Sequence, residues 1–161
     1  MTESLGTQLV TFRLGDDHFA ADIHAVERVL KFQLPTPVPN VPAWIDGVLE
    51  YQGRVVPVIN LRARFEMPAV APAAETRTLI FNVGGDWVAA VVDAVIDVAA
   101  IDDAHLSPPP PLFRGLAAEY LRGVVRRGDR LVMFLDVPHL LSTVERLQLE
   151  QAASAKGLRG E

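Results

Sequence analysis

Residues 12–29 and 81–98 echo each other without a gap. Phe12, Gly15, Asp17, Ala20, Ala21, Ala25, Val26 and Val29 are matched by Phe81, Gly84, Asp86, Ala89, Ala90, Ala94, Val95 and Val98 at one constant offset (81 − 12 = 69). A looser echo follows: Gly47-Val48 through Gly53 to Leu61 resembles Gly123-Val124 through Gly128 to Val137, with one residue fewer between the glycines. Repeats of this length mark a duplicated supersecondary unit. Two copies predict two similar small subdomains facing each other, which favours a binding scaffold over a single catalytic cleft.

Within the first copy, Val10, Phe12 and Leu14 alternate with polar neighbours, Gly15-Asp16-Asp17 supplies a turn, and Phe19, Ala21 and Ile23 resume the alternation. That pattern predicts a hairpin. Ile23, Val26 and Val29 or Leu30 are spaced for a short helical turn before another strand. Pro35, Pro37, Pro39 and Pro42 impose an extended connection. A second hairpin spans Val48–Tyr51 and Arg54–Ile59, with Pro57 predicting an edge or bulge position. Leu61–Phe65 predicts a closing helical turn, and the Ala- and Pro-rich residues 67–76 a surface linker.

The second copy repeats the plan through Leu79–Val83, Trp87–Val98, and the hairpin Val124–Arg126 with Leu131–Leu135; Pro108–Pro111 sit in an insertion. Pro138 fits a first helical turn, and Leu140, Leu141, Val144 and Leu147 line one face of a terminal helix over 138–150. About five short strands per copy must curl to hide their edges and apolar face. The expected fold is therefore all-β: two five-stranded barrels packed side by side, one over 8–66 and one over 76–137.

Composition excludes several function classes. The net charge of −5 offers nucleic acid and anionic lipid no general attraction. The chain has no cysteine, hence no disulfide, thiolate metal site or thiol nucleophile. The start Met1-Thr-Glu-Ser-Leu-Gly has neither the basic end nor the apolar run of a signal peptide, and the richest apolar run, Trp87 to Ile101, is broken by Asp93 and Asp97. A soluble cytoplasmic protein is the expectation.

The spaced residues resemble the CheW family of chemotaxis coupling proteins over essentially the whole chain, 1–161. The resemblance is carried by Phe12-Arg-Leu-Gly15, Phe19-Ala20-Ala-Asp22-Ile23, Val26 and Val29, then by Pro39-Asn-Val-Pro42-Ala-Trp-Ile-Asp-Gly47-Val48 and Gly53-Arg-Val-Val-Pro57-Val-Ile-Asn-Leu61-Arg62. Val91-Val92-Asp93-Ala-Val95 and Leu135-Asp136 with Leu140-Leu141 continue it. It implies SH3-like barrels, no catalytic residues and no cofactor. It implies a scaffold that links the regulatory domain of a CheA-type histidine kinase to the cytoplasmic tips of chemoreceptors, recruited to arrays at the inner face of the membrane without inserting into it. A monomer is expected for the isolated chain. Val26, Arg28, Gly47, Gln52 and Gly53 occupy the positions that the family uses for partner binding.

Two of those positions depart from the family pattern. Arg28 stands where the family usually has Glu, and Gln52 where it usually has Arg. An exposed ion pair contributes only about 0–1 kcal/mol to a fold, whereas a charge pair engaged at an interface is worth about 2–5 kcal/mol. The double replacement therefore implies altered partner choice, as in a specialised chemosensory cluster.

Each candidate also has a purely structural reading. Val26 could pack a core, and Gly47 and Gly53 have approximate counterparts in Gly123 and Gly128, so backbone geometry alone could demand glycine there. Asp93 and Asp97 align with His24 and Arg28 rather than with acids, which predicts a solvated face. His18, His24, His105 and His139 lack metal spacing. Arg122, Arg126, Arg127 and Arg130 lack the interleaved aromatics of a nucleic-acid platform, which predicts the outer face of a hairpin. The competing reading is a small-ligand-binding double barrel outside chemosensory signalling, which would require a pocket with convergent polar groups.

Overall fold

Four hairpins carry the chain. The computed structural model describes residues 7–101, 105–108 and 120–140. Its strands are β1 (Thr7–Leu14), β2 (Asp17–Asp22), β3 (Val26–Lys31), β4 (Ile45–Tyr51), β5 (Arg54–Ile59), β6 (Arg77–Val83), β7 (Asp86–Val92), β8 (Ala94–Ile101), β9 (Leu106–Ser107), β10 (Leu121–Arg127) and β11 (Arg130–Leu135). A 3₁₀ turn (Ile23–Ala25) precedes β3, and a one-turn helix α1 (Leu61–Arg64) follows β5. The expected hairpins are β1–β2, β4–β5, β6–β7 and β10–β11, each antiparallel across a two-residue turn.

The strands form two sheets, ordered β8-β1-β2-β11-β10-β9 and β3-β6-β7-β5-β4. Thr36 extends the second by a bridge to Val48, where β9 extends the first through Ser107 and Val124. The expectation of an all-β fold in two small units packed together holds, with six strands in one sheet and five in the other. Its division at the linker, 8–66 against 76–137, does not: the leading hairpins are exchanged. β1–β2 joins β8–β11 through a parallel β2–β11 pairing, and β6–β7 joins β3–β5 through a parallel β7–β5 pairing. Period-two alternation specifies a strand's faces, not the sheet it enters.

The exchange explains where the core sits. One face of each sheet lines a small core of its own: Leu49, Val56, Val58, Ile80 and Ala89 in the five-stranded sheet, and Leu9, Ala20, Val132 and Phe134 in the other. The opposite faces meet in one larger core that includes Phe12, Phe19, Ile59, Leu79, Phe81, Val88, Ala90 and Leu135. Successive residues such as Leu79-Ile80-Phe81 and Val88-Ala89-Ala90 are thus all buried, alternating between two cores. At about 25 cal/mol per Å² of apolar surface, the shared core makes the halves interdependent.

The repeat survives in fine detail. Glu27 on β3 and Ile96 on β8 are skipped in the pairing with β6 and β1, a bulge at the same place in both copies (96 − 27 = 69). The Asn60 side chain accepts the Ala63 N–H at 2.9 Å while the Asn60 N–H donates to the Trp44 carbonyl at 2.7 Å. Asp136 does the same with His139 and Tyr120, at 3.1 and 2.6 Å. In the β4–β5 turn the glycine is second (Gln52-Gly53), and in the β10–β11 turn it is first (Gly128-Asp129). The apparent loss of one residue is a shift of the glycine within a turn of unchanged length.

Three local expectations are corrected. The helical turn after β2 covers only 23–25, capped by Asp22, whose carboxylate accepts the His24 N–H; β-branched Val26 and Val29 then run in a strand. Trp87–Val98 breaks at Asp93, where the chain crosses between sheets. Pro57 sits on an interior strand, yet β5 pairs with β7 only at Val58 and Ile59, so its missing N–H interrupts no rung of that ladder. A helix begins at 137–140; the rest of the expected helix over 138–150, like Pro109–Pro111, lies outside the described residues.

Candidate functional site

The five positions singled out from the sequence all fall on the five-stranded sheet. Val26 opens β3 and is half-buried against the shared core; Arg28, past the bulge, is exposed and in register with Ile80. Gly47 is buried in β4, and Gln52-Gly53 form the exposed β4–β5 turn. β3 and β4 are the outermost strands, with β6, β7 and β5 between them in hydrogen-bonded order. Leu30 of β3 and Leu49 and Tyr51 of β4 nevertheless share one core cluster, so the sheet curls until its two outer strands flank the same interior. The two groups of candidates therefore border one barrel.

Gly47 has a steric cause. Thr36 and Val48 exchange both backbone hydrogen bonds (2.8 and 2.9 Å), and a Cβ built on Gly47, at φ +139°, would lie 2.0 Å from the Thr36 carbonyl oxygen. Gly123 is its counterpart, with a built Cβ 2.5 Å from the Ser107 carbonyl. Gly53 differs: its φ of +76° needs glycine or a strained substitute, but nothing lies within 4 Å. Beside it Gln52 holds a left-handed φ of +50°.

The end of this barrel is built from two turns and an aromatic pair. Arg54 lies 3.9 Å from the centroid of the Trp87 ring and donates to the Gly85 carbonyl at 2.6 Å. The Tyr51 and Trp87 rings are 5.3 Å apart, and Gln52 donates to the Tyr51 hydroxyl at 3.3 Å. Asn82 donates to Glu27 at 3.0 Å and accepts the Gly85 N–H at 2.9 Å. The Gln52-Gly53 and Gly84-Gly85 turns are thereby held together.

The solvated-face expectation fails for Asp93, which is mostly buried, and holds for Asp97, whose side chain is exposed yet paired. Asp93 receives two N–H groups of Arg62 (2.5 and 3.3 Å) and the Gly15 N–H (2.7 Å), with side chains 19% and 13% exposed for Asp93 and Arg62. Arg62 also donates to the Pro68 carbonyl at 2.6 Å. This network clamps α1, the β1–β2 turn and the β7–β8 crossover. Burial alone would raise the Asp93 carboxyl; the Arg62 and Gly15 hydrogen bonds outweigh it and hold the carboxyl below its ordinary value. Asp97 accepts from Arg127 (2.9 and 3.1 Å) and from the Thr11 hydroxyl (2.5 Å), which lowers it to about 2. The aligned positions, His24 and Arg28, are not acidic because the basic partners come from distant segments in one copy only. Only the pairing of residues 31 and 30 positions apart reveals them.

The Arg62–Asp93 pair and Asp46 line a hollow of about 330 Å³ edged by Phe32, Leu34, Pro37 and Val70. Its polar lining is internally bonded, since Asp46 accepts from Asn60 at 3.1 Å. Such a floor offers little to the convergent recognition a small-ligand site needs. Across the seam between sheets, the Arg64 guanidinium stacks 4.4 Å from Trp44 and 4.7 Å from Tyr120, repeat-equivalent residues, and donates to the Tyr120 hydroxyl.

Exposed apolar side chains also recur by copy. Val29 and Val98 are 41% and 53% exposed, and Val55 and Leu131 are 67% and 49% exposed. Each sheet thus carries the same two exposed apolar positions.

With this geometry in place, similarity to known proteins decides the family. The family described as "CheW-like domain" matches residues 8–145. The chain belongs to that family. A chemotaxis protein CheW from Treponema pallidum is 32% identical, over 88% of this chain and 86% of that protein. Another from Klebsiella aerogenes is 31% identical over 95% and 92%, and protein FrzA of Myxococcus xanthus is 36% identical over 84% and 85%. Among solved structures, the scaffolding protein TtCheW from Thermoanaerobacter tengcongensis superposes with a TM-score of 0.75 at 27% identity, covering 83% of this chain and 86% of that one. The chain is therefore a chemotaxis scaffold protein in kind. Among the described residues, no helix is long and apolar enough to cross a membrane.

Proposed function

We propose that this CheW-like protein is a cytoplasmic adaptor that couples chemoreceptor tips to the regulatory domain of a CheA-type histidine kinase and performs no chemistry of its own. The observation that carries this reading is the placement of Val26, Arg28, Gly47, Gln52 and Gly53 around one barrel of a CheW-like fold. Val26 and Arg28 border it on the β3 side, beside the crossover from the first sheet; Gln52-Gly53 cap it on the β4 side. A partner docking there contacts the barrel and the seam together, so a shift of either sheet alters the docked geometry. That is the two-state element through which receptor and kinase occupancy bias each other. Recruitment to arrays at the inner face of the membrane follows from receptor binding and needs no insertion.

The repeated exposed apolar positions support pairing with a partner of the same double plan, an apolar centre giving affinity and polar neighbours giving selectivity. Replacing Val26 by Asp tests the reading. The expected result is a chain with unchanged far-UV circular dichroism that no longer captures the kinase regulatory domain or receptor tip of its own source. Undiminished capture of both would remove Val26 from the site, and absence of capture by the unmodified chain would refute the adaptor reading.

A further inference from the structure

The second echo runs past the strands and brings four equivalent positions to the seam between the sheets. Trp44 matches Tyr120 (120 − 44 = 76), since the Asn60 N–H donates to the Trp44 carbonyl and the Asp136 N–H to the Tyr120 carbonyl. At the same offset Arg64 matches Leu140 (140 − 64 = 76). The Arg64 and Leu140 N–H groups each close one helical turn, on the Asn60 and Asp136 carbonyls, at 3.1 Å in both copies. Two equivalent backbones thus present unlike side chains. Leu140 is fully buried in the shared core that includes Tyr120 and against which Trp44 packs. Arg64 is only half-buried, with its guanidinium carbon 4.4 Å from the Trp44 ring centroid and 4.7 Å from that of Tyr120.

The two side chains hold the seam by different physics. Separating Leu140 from the core would return apolar surface to water, which is unfavourable throughout. Arg64 gains from the two rings and donates to the Tyr120 hydroxyl. Its Nε, however, is buried with no hydrogen-bond acceptor. A guanidinium N–H withdrawn from water without a partner opposes the stacking, so Arg64 regains hydration when it leaves the rings. Those rings belong to opposite sheets: Trp44 leads into β4 and Tyr120 into β10. Release of Arg64 therefore frees one tie across the seam while the apolar core around Leu140 stays closed.

We propose that Arg64 is a releasable latch between the two sheets: seated between Trp44 and Tyr120 it fixes their relative angle, and withdrawn it lets them pivot about the core around Leu140. Arg64 is a positioning residue, acting through the angle rather than by contact with a partner. The consequence rests on the adaptor reading. A change of angle alters both outer surfaces, so the latch couples a partner docked on one sheet to a partner docked on the other. The latch itself is a property of the chain alone.

Because the chain has no cysteine, Glu50→Cys on β4 and Arg126→Cys on β10, both exposed and on different sheets, place two spin labels without background. The inter-label distance distribution is expected to be narrow with Arg64 present and to broaden or gain a second population in Arg64→Ala. Tyr120→Phe, which keeps both rings and removes the hydroxyl acceptor, is expected to fall between; it carries the comparison should Arg64→Ala lose its cooperative thermal transition. An unchanged distribution in the folded variant would overturn the latch. In parallel, kinase regulatory-domain affinity is measured on the unlabelled chain with and without a saturating receptor-tip hairpin from its own source. The two values are expected to differ by roughly fivefold or more in the native chain and by less than about twofold in Arg64→Ala. A merely structural role would instead lower both affinities together. Coupling that is absent from the native chain, or that persists in Arg64→Ala, would overturn the coupling role. A native chain that binds neither partner would refute the adaptor reading, with the distance measurement still deciding the latch.

Discussion

Gly47 and Gly53 look alike in sequence but answer to different constraints. A methyl group at 47 meets the Thr36 carbonyl, so Gly47→Ala is expected to cost about 3 kcal/mol, and Gly123→Ala a similar amount against Ser107. At Gly53 only the left-handed φ is strained, and Gly53→Ala is expected to cost about 1 kcal/mol. Urea midpoints of the three variants check this order; equal losses would contradict it. A pH effect belongs to Asp97. Its folded value of about 2 lies below its ordinary 3.8, so the stability it contributes is present above about pH 4 and is lost as pH falls toward 2. Because its side chain is 43% exposed, screening keeps that contribution under about 1 kcal/mol. The stability gap between the native chain and Asp97→Asn is expected to close between pH 4 and 2; a gap independent of pH would refute the assignment.

At the scale of elements, the exchanged hairpins make a testable claim about where the chain can be divided. Residues 1–70 alone lack β6 and β7, and residues 71–161 alone lack β1 and β2, so each half leaves a sheet unfinished. Neither is expected to give a cooperative thermal transition by itself, whereas the mixed halves are expected to recover one. A half that folds alone would contradict the topology. The Arg62–Asp93 clamp acts at the same scale, and Asp93→Asn is expected to cost about 2 kcal/mol because it strands a mostly buried guanidinium. The hairpins, their turns, the closing helical turn after β5 and the terminal-helix start were readable because each depends on neighbouring residues. The exchange was not, since Phe12 and Phe19 read as one half-buried hairpin whichever sheet receives it. Consecutive buried runs such as Leu79-Ile80-Phe81 were the available signal that a strand is covered on both faces. The Asp93 and Asp97 pairs stayed hidden for a related reason: their partners Arg62 and Arg127 become neighbours only after the sheets form.

Over the whole molecule, two copies of one unit have become unequal. One barrel is shut by its own Asp97–Arg127 pair, while the other carries Arg28, Gln52 and Arg54 toward solvent beside the Tyr51–Trp87 pair. The shared core joins them, and Arg64 between Trp44 and Tyr120 pins the seam. A scaffold needs this combination of a stiff interior and distinct outer surfaces. Sedimentation of the purified cognate kinase with receptor-bearing vesicles, with and without this chain, tests that account most directly. Kinase is expected in the pellet only when the chain is present, and Val26→Asp is expected to leave it in the supernatant; kinase pelleting equally well without the chain would contradict the account.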